Sequence, residues 1–440
     1  MPGAASTPPR PRVVILGGGF GGMHAARALR NAPVDVTVID RTNHHLFQPL
    51  LYQVATATLA PSDITVPIRW VLRGVRNATV LLGEARAIDL AARTVILDDD
   101  HLAVAYDYLI VATGARHSYF GHDEWEVHAP GLKTLDDALE IRRRFLLSFE
   151  LAERCETEAE RSALQVFVIV GAGPTGVELA GMIPELARHA FRRDFRRVDT
   201  RKTRVILVEG GPRILPGFVP SLAARAHRDL EELGVEIRTN AIVSRVDSGG
   251  VFIGAERIAS RTVFWAAGNR ASSLAKRLGV PVDRAGRAIV EPDLSIPGHP
   301  EVFVVGDAAA AMSEGKPVPG VAQGAMQGGA HAAGNVLRAL RGEPRKPFRY
   351  WNKGELATIG RNRAIGDLGF MRIAGTPAWV FWIFLHIMYL VGFRNRLVVF
   401  TQWAWAYFTY QRGARLITGR ERGEEEARIR HTGEFKVERG

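Results

Sequence analysis

Two glycine clusters carry the residues whose types and spacing point most directly to chemistry. The first, GGGFGG, sets Gly17, Gly19 and Gly22 in G-x-G-x-x-G order, with Phe20 and Gly21 inside the motif. It follows the apolar run Val13–Leu16 and opens a segment of helical spacing, Met23–Arg30. Glycine permits the tight turn and a close approach of backbone to a pyrophosphate, and a helix start adds free N–H groups and a favourable dipole. Asp40 ends the next run, Val36–Ile39, about twenty residues on, where a carboxylate can accept from a ribose diol. The second cluster, GAGPTG, repeats the pattern with Gly171, Gly173 and Gly176 after Phe167–Val170. Glu209 closes the run VILVE, displaced along the chain by the stretch RHAFRRDFRRVDTRKT. An acid there suits a free 2′-hydroxyl and repels a 2′-phosphate, which favours NADH over NADPH, although Arg201 and Arg204 lie close in sequence and oppose that exclusion.

Two dinucleotide motifs in one chain imply a resident flavin and a visiting nicotinamide; the order of the motifs does not say which is which. Three further strand ends belong with them. Tyr108–Ala112 runs into Thr113 and Gly114, Thr262–Ala266 into Ala267 and Gly268, and Val302–Val305 into Gly306 and Asp307. Asp307 stands before a run of small residues, where its carboxylate can accept a ribityl hydroxyl and also cap a helix.

The elements that must position these residues alternate as βαβ units, once near the N-terminus and again from Phe167. Helices are expected over Leu135–Ala163, Gly176–Ala190, Leu222–Leu233 and Gly324–Leu340, and short strands at Thr79–Leu82, Val95–Leu97, Val235–Arg238 and Val251–Ile253. With 440 residues, 47% of them hydrophobic, the chain can fill two or three α/β domains. No grouping of His, Cys, Asp and Glu has metal-site spacing, so no metal is expected. The single cysteine, Cys155, read as a surface-helix residue, excludes an internal disulfide or a redox dithiol. A net charge of +11 with no recognition motif favours an anionic membrane surface over nucleic acid. The N-terminal stretch MPGAASTPPRPR lacks an apolar signal core, so the body is expected in or facing the cytosol.

The C-terminal part differs. Ala378–Phe393 is a 16-residue apolar helical candidate, followed by Arg394, Arg396 and the aromatic run LVVFTQWAWAYFTY. A spanning helix needs about 20 apolar residues. Aromatic rings and arginines suit the headgroup layer, so a monotopic arrangement is expected, with His386 read as an interfacial histidine.

From about Arg12 to Ile417 the sequence resembles the type II NADH dehydrogenases, single-subunit NADH:quinone oxidoreductases of the two-dinucleotide-binding-domain, glutathione-reductase-like flavoproteins. RTNHHLFQPLLYQVAT (41–56), GAGPTGVELAG, PGVAQGAMQGG, AWVFWIFLHIMYLVGFRNRL and RGARLI carry the resemblance. It implies FAD at Gly17, Gly19, Phe20, Gly21, Gly22, Asp40, Arg41, His45, Thr113, Gly114, Gly306 and Asp307. It implies NADH at Gly171, Gly173, Gly176, Glu209 and Gly268. It also places Glu178 near the nicotinamide and quinone side of the flavin, and Ala322, Gln323 and Gln327 in a quinone pocket against the flavin ring, with the catalytic roles given to Glu178, Gln323 and Gln327.

The implied organisation is a flexible N-terminus (1–11), a first part of the FAD domain (12–125), an NADH domain (165–270), a second part of the FAD domain (271–345), a C-terminal amphipathic membrane-binding region (346–420) and a charged tail (421–440). The implied function is non-proton-pumping electron transfer from NADH through FAD to a membrane quinone, by a homodimer on the cytoplasmic face of the inner membrane. The alternative is an FAD-dependent NAD(P)H reductase of a soluble electron carrier. Such a reductase does not need the apolar C-terminal segments, and sulfur-based relatives need paired cysteines.

Overall fold

The computed structural model describes residues 9–98, 102–410 and 413–418. Most of the expected N-terminal stretch and the whole charged tail 421–440 lie outside the described residues. Two parallel sheets organise the molecule. The first orders its strands Ser295–Ile296, His299–Val304, Tyr108–Val111, Arg12–Leu16, Asp35–Asp40 and Ala78–Leu82, all parallel except the edge strand Ser295–Ile296. The second orders Val235–Arg238, Arg204–Val208, Val166–Val170 and Thr262–Trp265, all parallel. Val13 to Leu16 are at most 1% exposed and every residue of Val166–Val170 is buried, because strands covered on both faces must be apolar throughout.

Each central strand feeds a glycine helix, Phe20–Ala28 and Pro174–Glu185. A third helix, Ala322–Leu340, crosses the first so closely that a Cβ on Gly329 would lie 2.0 Å from the Gly21 carbonyl oxygen. The chain enters and leaves the second sheet through adjacent antiparallel strands, Ala115–His117 and Asn269–Ala271.

The expected helix over Leu135–Ala163 is two helices, Leu135–Arg154 and Glu158–Leu164. Thr157 starts the second by accepting the Glu160 N–H at 3.3 Å, so Cys155 is extended backbone just past a helix end and not a surface-helix residue. The C-terminal region opens with an antiparallel sheet of Glu355–Gly360, Arg363–Asp367 and Arg372–Ala374, which the sequence patterning does not announce. Two helices follow, Thr376–Tyr389 and Phe393–Thr409. Among the described residues no helix is long and apolar enough to cross a membrane.

Both of these helices are anchored in the body. Trp382 (2% exposed), Leu390 and Val399 join the same core as Val177, Leu179 and Ile183 of the second glycine helix. A Cβ on Gly181 would fall 1.6 Å from the Ile359 carbonyl oxygen, so strand and helix backbones touch there.

Candidate functional site

The two glycine turns are built alike. Gly17 has φ +103° and its missing Cβ would stand 2.4 Å from the Ala112 carbonyl oxygen; Gly171 has φ +99° and would meet the Ala267 nitrogen at 2.6 Å. Gly22 and Gly176 face the Gly17 and Gly171 carbonyl oxygens at 1.8 and 1.9 Å from a built Cβ. Gly19 and Gly173 look onto open space, where a ligand can approach the backbone.

The acids match too. Asp40 accepts the Gly18 N–H at 2.6 Å and the Thr42 N–H at 2.7 Å. Glu209 accepts the Ala172 N–H at 2.7 Å and the Gly211 N–H at 2.8 Å. The long connection before Glu209 therefore loops away without moving the acid from the place Asp40 holds. Each carboxylate keeps lone pairs for a ribose diol. Arg201 pairs with Asp199 at 2.8 Å and Arg204 with Glu236 at 2.9 Å, and neither lines the cleft beside Glu209.

His45 is buried and donates from Nδ1 to the Gly18 carbonyl oxygen at 2.9 Å, bracing the first turn; burial lowers its pKa and keeps it neutral. Arg41 is exposed. Gly114 and Gly306 are left-handed, with φ +67° and +65°, and Asp307 faces a cavity of about 350 Å³ shared with Gly306, Gly324 and Arg287. Thr113 Oγ1 is buried with no hydrogen-bond partner. An orphaned hydroxyl, a carboxylate on a cavity and an open glycine turn fit a flavin dinucleotide laid along these strand ends. On the other side a cleft of about 700 Å³ runs from Glu209 and Ile242 to Gly268, Phe120 and Lys133, and fits a second dinucleotide.

Glu178 lies beyond Gly176 in the second glycine helix and faces a third cavity, of about 300 Å³, with Tyr52, Gln53, Thr58, Met182, Trp382 and Trp403. Burial pushes its carboxyl well above the usual range, and a hydrogen bond from the Thr358 backbone opposes this only partly. The C-terminal helices close the cavity: Trp403 Nε1 donates to Gln53 Oε1 at 2.8 Å, and Gln53 Nε2 donates to Tyr52 Oη at 2.9 Å.

The two glutamines do not line that cavity. Gln327 is clamped at both ends of its amide, donating to the Trp351 carbonyl oxygen and accepting the Trp351 N–H, both at 2.9 Å. Gln323 reaches the Gly354 carbonyl oxygen at 3.5 Å and leaves Oε1 buried without a partner. Ala322 opens their helix.

Residues 11–329 match the pyridine nucleotide-disulphide oxidoreductase family, and residues 352–410 match the NDH2 C-terminal domain. The type II NADH:quinone oxidoreductase NdhA of Mycobacterium tuberculosis is 48% identical, over 93% of this chain and 90% of that protein. The type II NADH:quinone oxidoreductase Ndh of the same organism is 46% identical, over 95% and 92%. This chain is a type II NADH:quinone oxidoreductase.

The enzyme is thus FAD-dependent and passes electrons from NADH to quinone. Its fold is that of NDH2 from Plasmodium falciparum, with a TM-score of 0.84 at 21% identity, covering 92% of this chain and 99% of that one. A sulfide:quinone oxidoreductase from Aquifex aeolicus shares the fold at a TM-score of 0.71 and 20% identity, covering 88% and 92%. These likenesses carry the Rossmann-like α/β architecture.

Sequence reasoning missed Tyr52, Gln53, Trp382, Trp403 and Lys133 as site residues. The signal for the first two was the stretch 41–56, whose segment Leu51–Ala55 is buried throughout. Lys133 stands on the cleft wall, where burial lowers its pKa and the charge of Asp307 opposes the shift. His386 donates from Nδ1 to the Trp382 carbonyl oxygen at 2.7 Å and stacks on that indole at 4.1 Å. Burial brings its pKa down to about 4, so it is neutral at physiological pH.

Proposed function

We propose that the first glycine unit, with Asp40, Thr113 and Asp307, holds FAD, that the cleft beside Glu209 admits NADH, and that quinone is reduced where the second glycine helix meets the C-terminal helices. The observation that carries this reading is the position of Glu178. It sits on the helix that begins at the NADH turn, yet faces a largely apolar cavity walled by the C-terminal pair.

Bound FAD supplies the redox chemistry, accepting a hydride and giving up electrons. The chain's own residues do the rest. The two turns offer backbone N–H groups to pyrophosphates, and the acids fix the riboses. Glu209, with no arginine in the cleft lining, favours NADH over NADPH. Burial favours the protonated form of the Glu178 carboxyl, the direction that acid catalysis requires. Gln323 Oε1 is an uncharged acceptor for a hydroxyl.

The outer faces of the C-terminal helices support monotopic attachment. Phe384 is 60% exposed and Phe393 79%, and Arg394 beside Phe393 is also exposed. We read this face as lying in an anionic leaflet on the cytoplasmic side, with the enzyme a homodimer. Replacing Phe384 and Phe393 by serine is expected to weaken binding to anionic vesicles at least tenfold, since each buried phenylalanine contributes about 1.5–3 kcal/mol. Diaphorase activity with a soluble dye should be unchanged. Vesicle cosedimentation equal to the wild type would rule out this face.

The decisive experiment is anaerobic. NADH should bleach the yellow enzyme, and a short-chain quinone should recolour it. Failure of NADH to bleach a flavin that another donor reduces overturns the reading. Gln323 lies outside the Glu178 cavity, so its variant tests whether the quinone path extends to the start of the Ala322 helix: Gln323→Ala should then leave bleaching intact and slow recolouring about tenfold, the weight of one hydrogen bond of ~1.4 kcal/mol. Gln327→Ala acts through the Trp351 clamp and should move both steps less. Equal losses in the two half-reactions would remove Gln323 from the quinone side.

A further inference from the structure

Phe120 stands where a buried core offers no reason for it. Its φ is +55°, a left-handed conformation that bulky side chains rarely adopt, and it is 68% exposed. A single exposed apolar residue needs no explanation. One that is exposed, conformationally disfavoured and on the wall of a ligand cleft does, because the surrounding chain must hold it there.

The chain does hold it. On one side Tyr119 is 3% exposed and donates from its hydroxyl to the Ala129 carbonyl oxygen at 2.9 Å. Ser118 gives its carbonyl oxygen to Trp265 Nε1 at 3.0 Å and its N–H to the Gly268 carbonyl oxygen at 3.3 Å. On the other side Gly121 has φ +101°. With its base pinned, the Phe120 ring leans on Gly268, where a built Cβ would lie 2.7 Å from Phe120 Cζ. Gly268 thus makes the seat for the ring.

The opposite end of the cleft carries a second exposed apolar residue. Ile242 is 73% exposed and packs over Gly210, next to the ribose acid Glu209. Glu209 marks the adenosine end of a dinucleotide in this fingerprint. Phe120 leans on Gly268, which follows the strand Thr262–Trp265, and that strand and the Glu209 strand Arg204–Val208 flank Val166–Val170 on opposite sides; Lys133, which feels the charge of Asp307, lines the same cleft.

We propose that Phe120 is a cap that covers the nicotinamide half of the bound dinucleotide, while Ile242 covers the adenine half. The inference rests on the reading of this cleft as the NADH site. An aromatic face suits a flat heteroaromatic ring, and a rim position lets the ring shield it from water without blocking the flavin side.

The test separates the two halves of the ligand. Donors are NADH and reduced nicotinamide mononucleotide; ADP-ribose is the competitor; binding is read from anaerobic flavin bleaching. Phe120→Ala should weaken the mononucleotide and NADH about tenfold and leave the ADP-ribose inhibition constant unchanged. Phe120→Tyr should restore both donors. Ile242→Ala should weaken ADP-ribose and leave the mononucleotide unchanged. If Phe120→Ala binds the mononucleotide as the wild type does while ADP-ribose still competes, the cap is wrong and the cleft assignment stands. If ADP-ribose does not compete with NADH in the wild type, the cleft assignment itself falls. A change in oligomeric state of Phe120→Ala with unchanged donor affinities would mark the ring as a subunit contact and overturn the cap.

Discussion

Gly176→Ala is expected to give a yellow enzyme that NADH no longer bleaches at ordinary concentrations. The added Cβ would sit 1.9 Å from the Gly171 carbonyl oxygen, with helix backbone on one side and the turn on the other. No side chain can rotate away, so the turn that presents N–H groups to the pyrophosphate must open by more than an ångström, judged against ordinary contact distances of about 3.4 Å. Such a distortion should weaken NADH by at least about a hundredfold, roughly 2.8 kcal/mol. Gly22→Ala places the same atom 1.8 Å from the Gly17 carbonyl oxygen, and there the expected result is a colourless protein. Losing a resident flavin also removes its contribution to folding, so that variant should melt earlier. The pair assigns the two turns independently of turnover. Flavin content, visible spectrum and an anaerobic NADH titration suffice. A Gly176→Ala enzyme that bleaches at wild-type NADH concentrations would sink the assignment.

Glu178→Gln should trade quinone reduction for stability, and the trade should depend on pH. The native state raises the carboxyl pKa well above its ordinary value of 4.5 because the charged form is desolvated. Below that value native and unfolded chains are both protonated, and the residue adds no pH dependence. Above it the unfolded chain releases its proton while the native chain retains it. Wild-type stability therefore falls as pH rises, until the native pKa is passed. Glutamine has no proton to release. The melting temperature of Glu178→Gln relative to wild type should climb as pH increases from about 4.5 and then level off. Recolouring by quinone should slow about a hundredfold, the lower range of general acid–base contributions, and lose its pH dependence. A flat melting difference together with wild-type recolouring would leave Glu178 without either role.

What the sequence made legible follows from how local each signal is. The buried strands at Val13–Leu16 and Phe167–Val170 could be read because a parallel strand covered on both faces is apolar without interruption. The strand-end position of Glu209, the acid proposed for the ribose, could be read despite its long connection, because a strand end fixes it and the insertion does not. Glu355–Gly360 and Arg363–Asp367 gave no such run: their residues are small, mixed and partly polar, and they form a sheet against helices distant in sequence, the second glycine helix, Pro220–Glu232 and Thr376–Tyr389. The break after Arg154 depends on a cap at Thr157 hidden in a charged stretch that otherwise reads as continuous helix. The glutamines illustrate the same limit. Their four-residue spacing told which helix face they share, but not that Trp351 would take the amide of Gln327 and leave Gln323 Oε1 alone.

The backbone contact between Gly181 and Ile359 bears on how this enzyme can be handled. Helices that merely floated on lipid could be cut away to leave a water-soluble catalyst. Here a deletion from Ala378 onward would strip Trp382, Leu390 and Val399 from the same core that supports the NADH turn, and would uncap the Glu178 cavity. A detergent-free preparation has to come from recolouring the outward faces of the terminal helices, residue by residue, with their inward faces left intact. The same coupling means that a C-terminal fusion partner must attach beyond Thr409, since a junction within the two terminal helices cuts into the shared core.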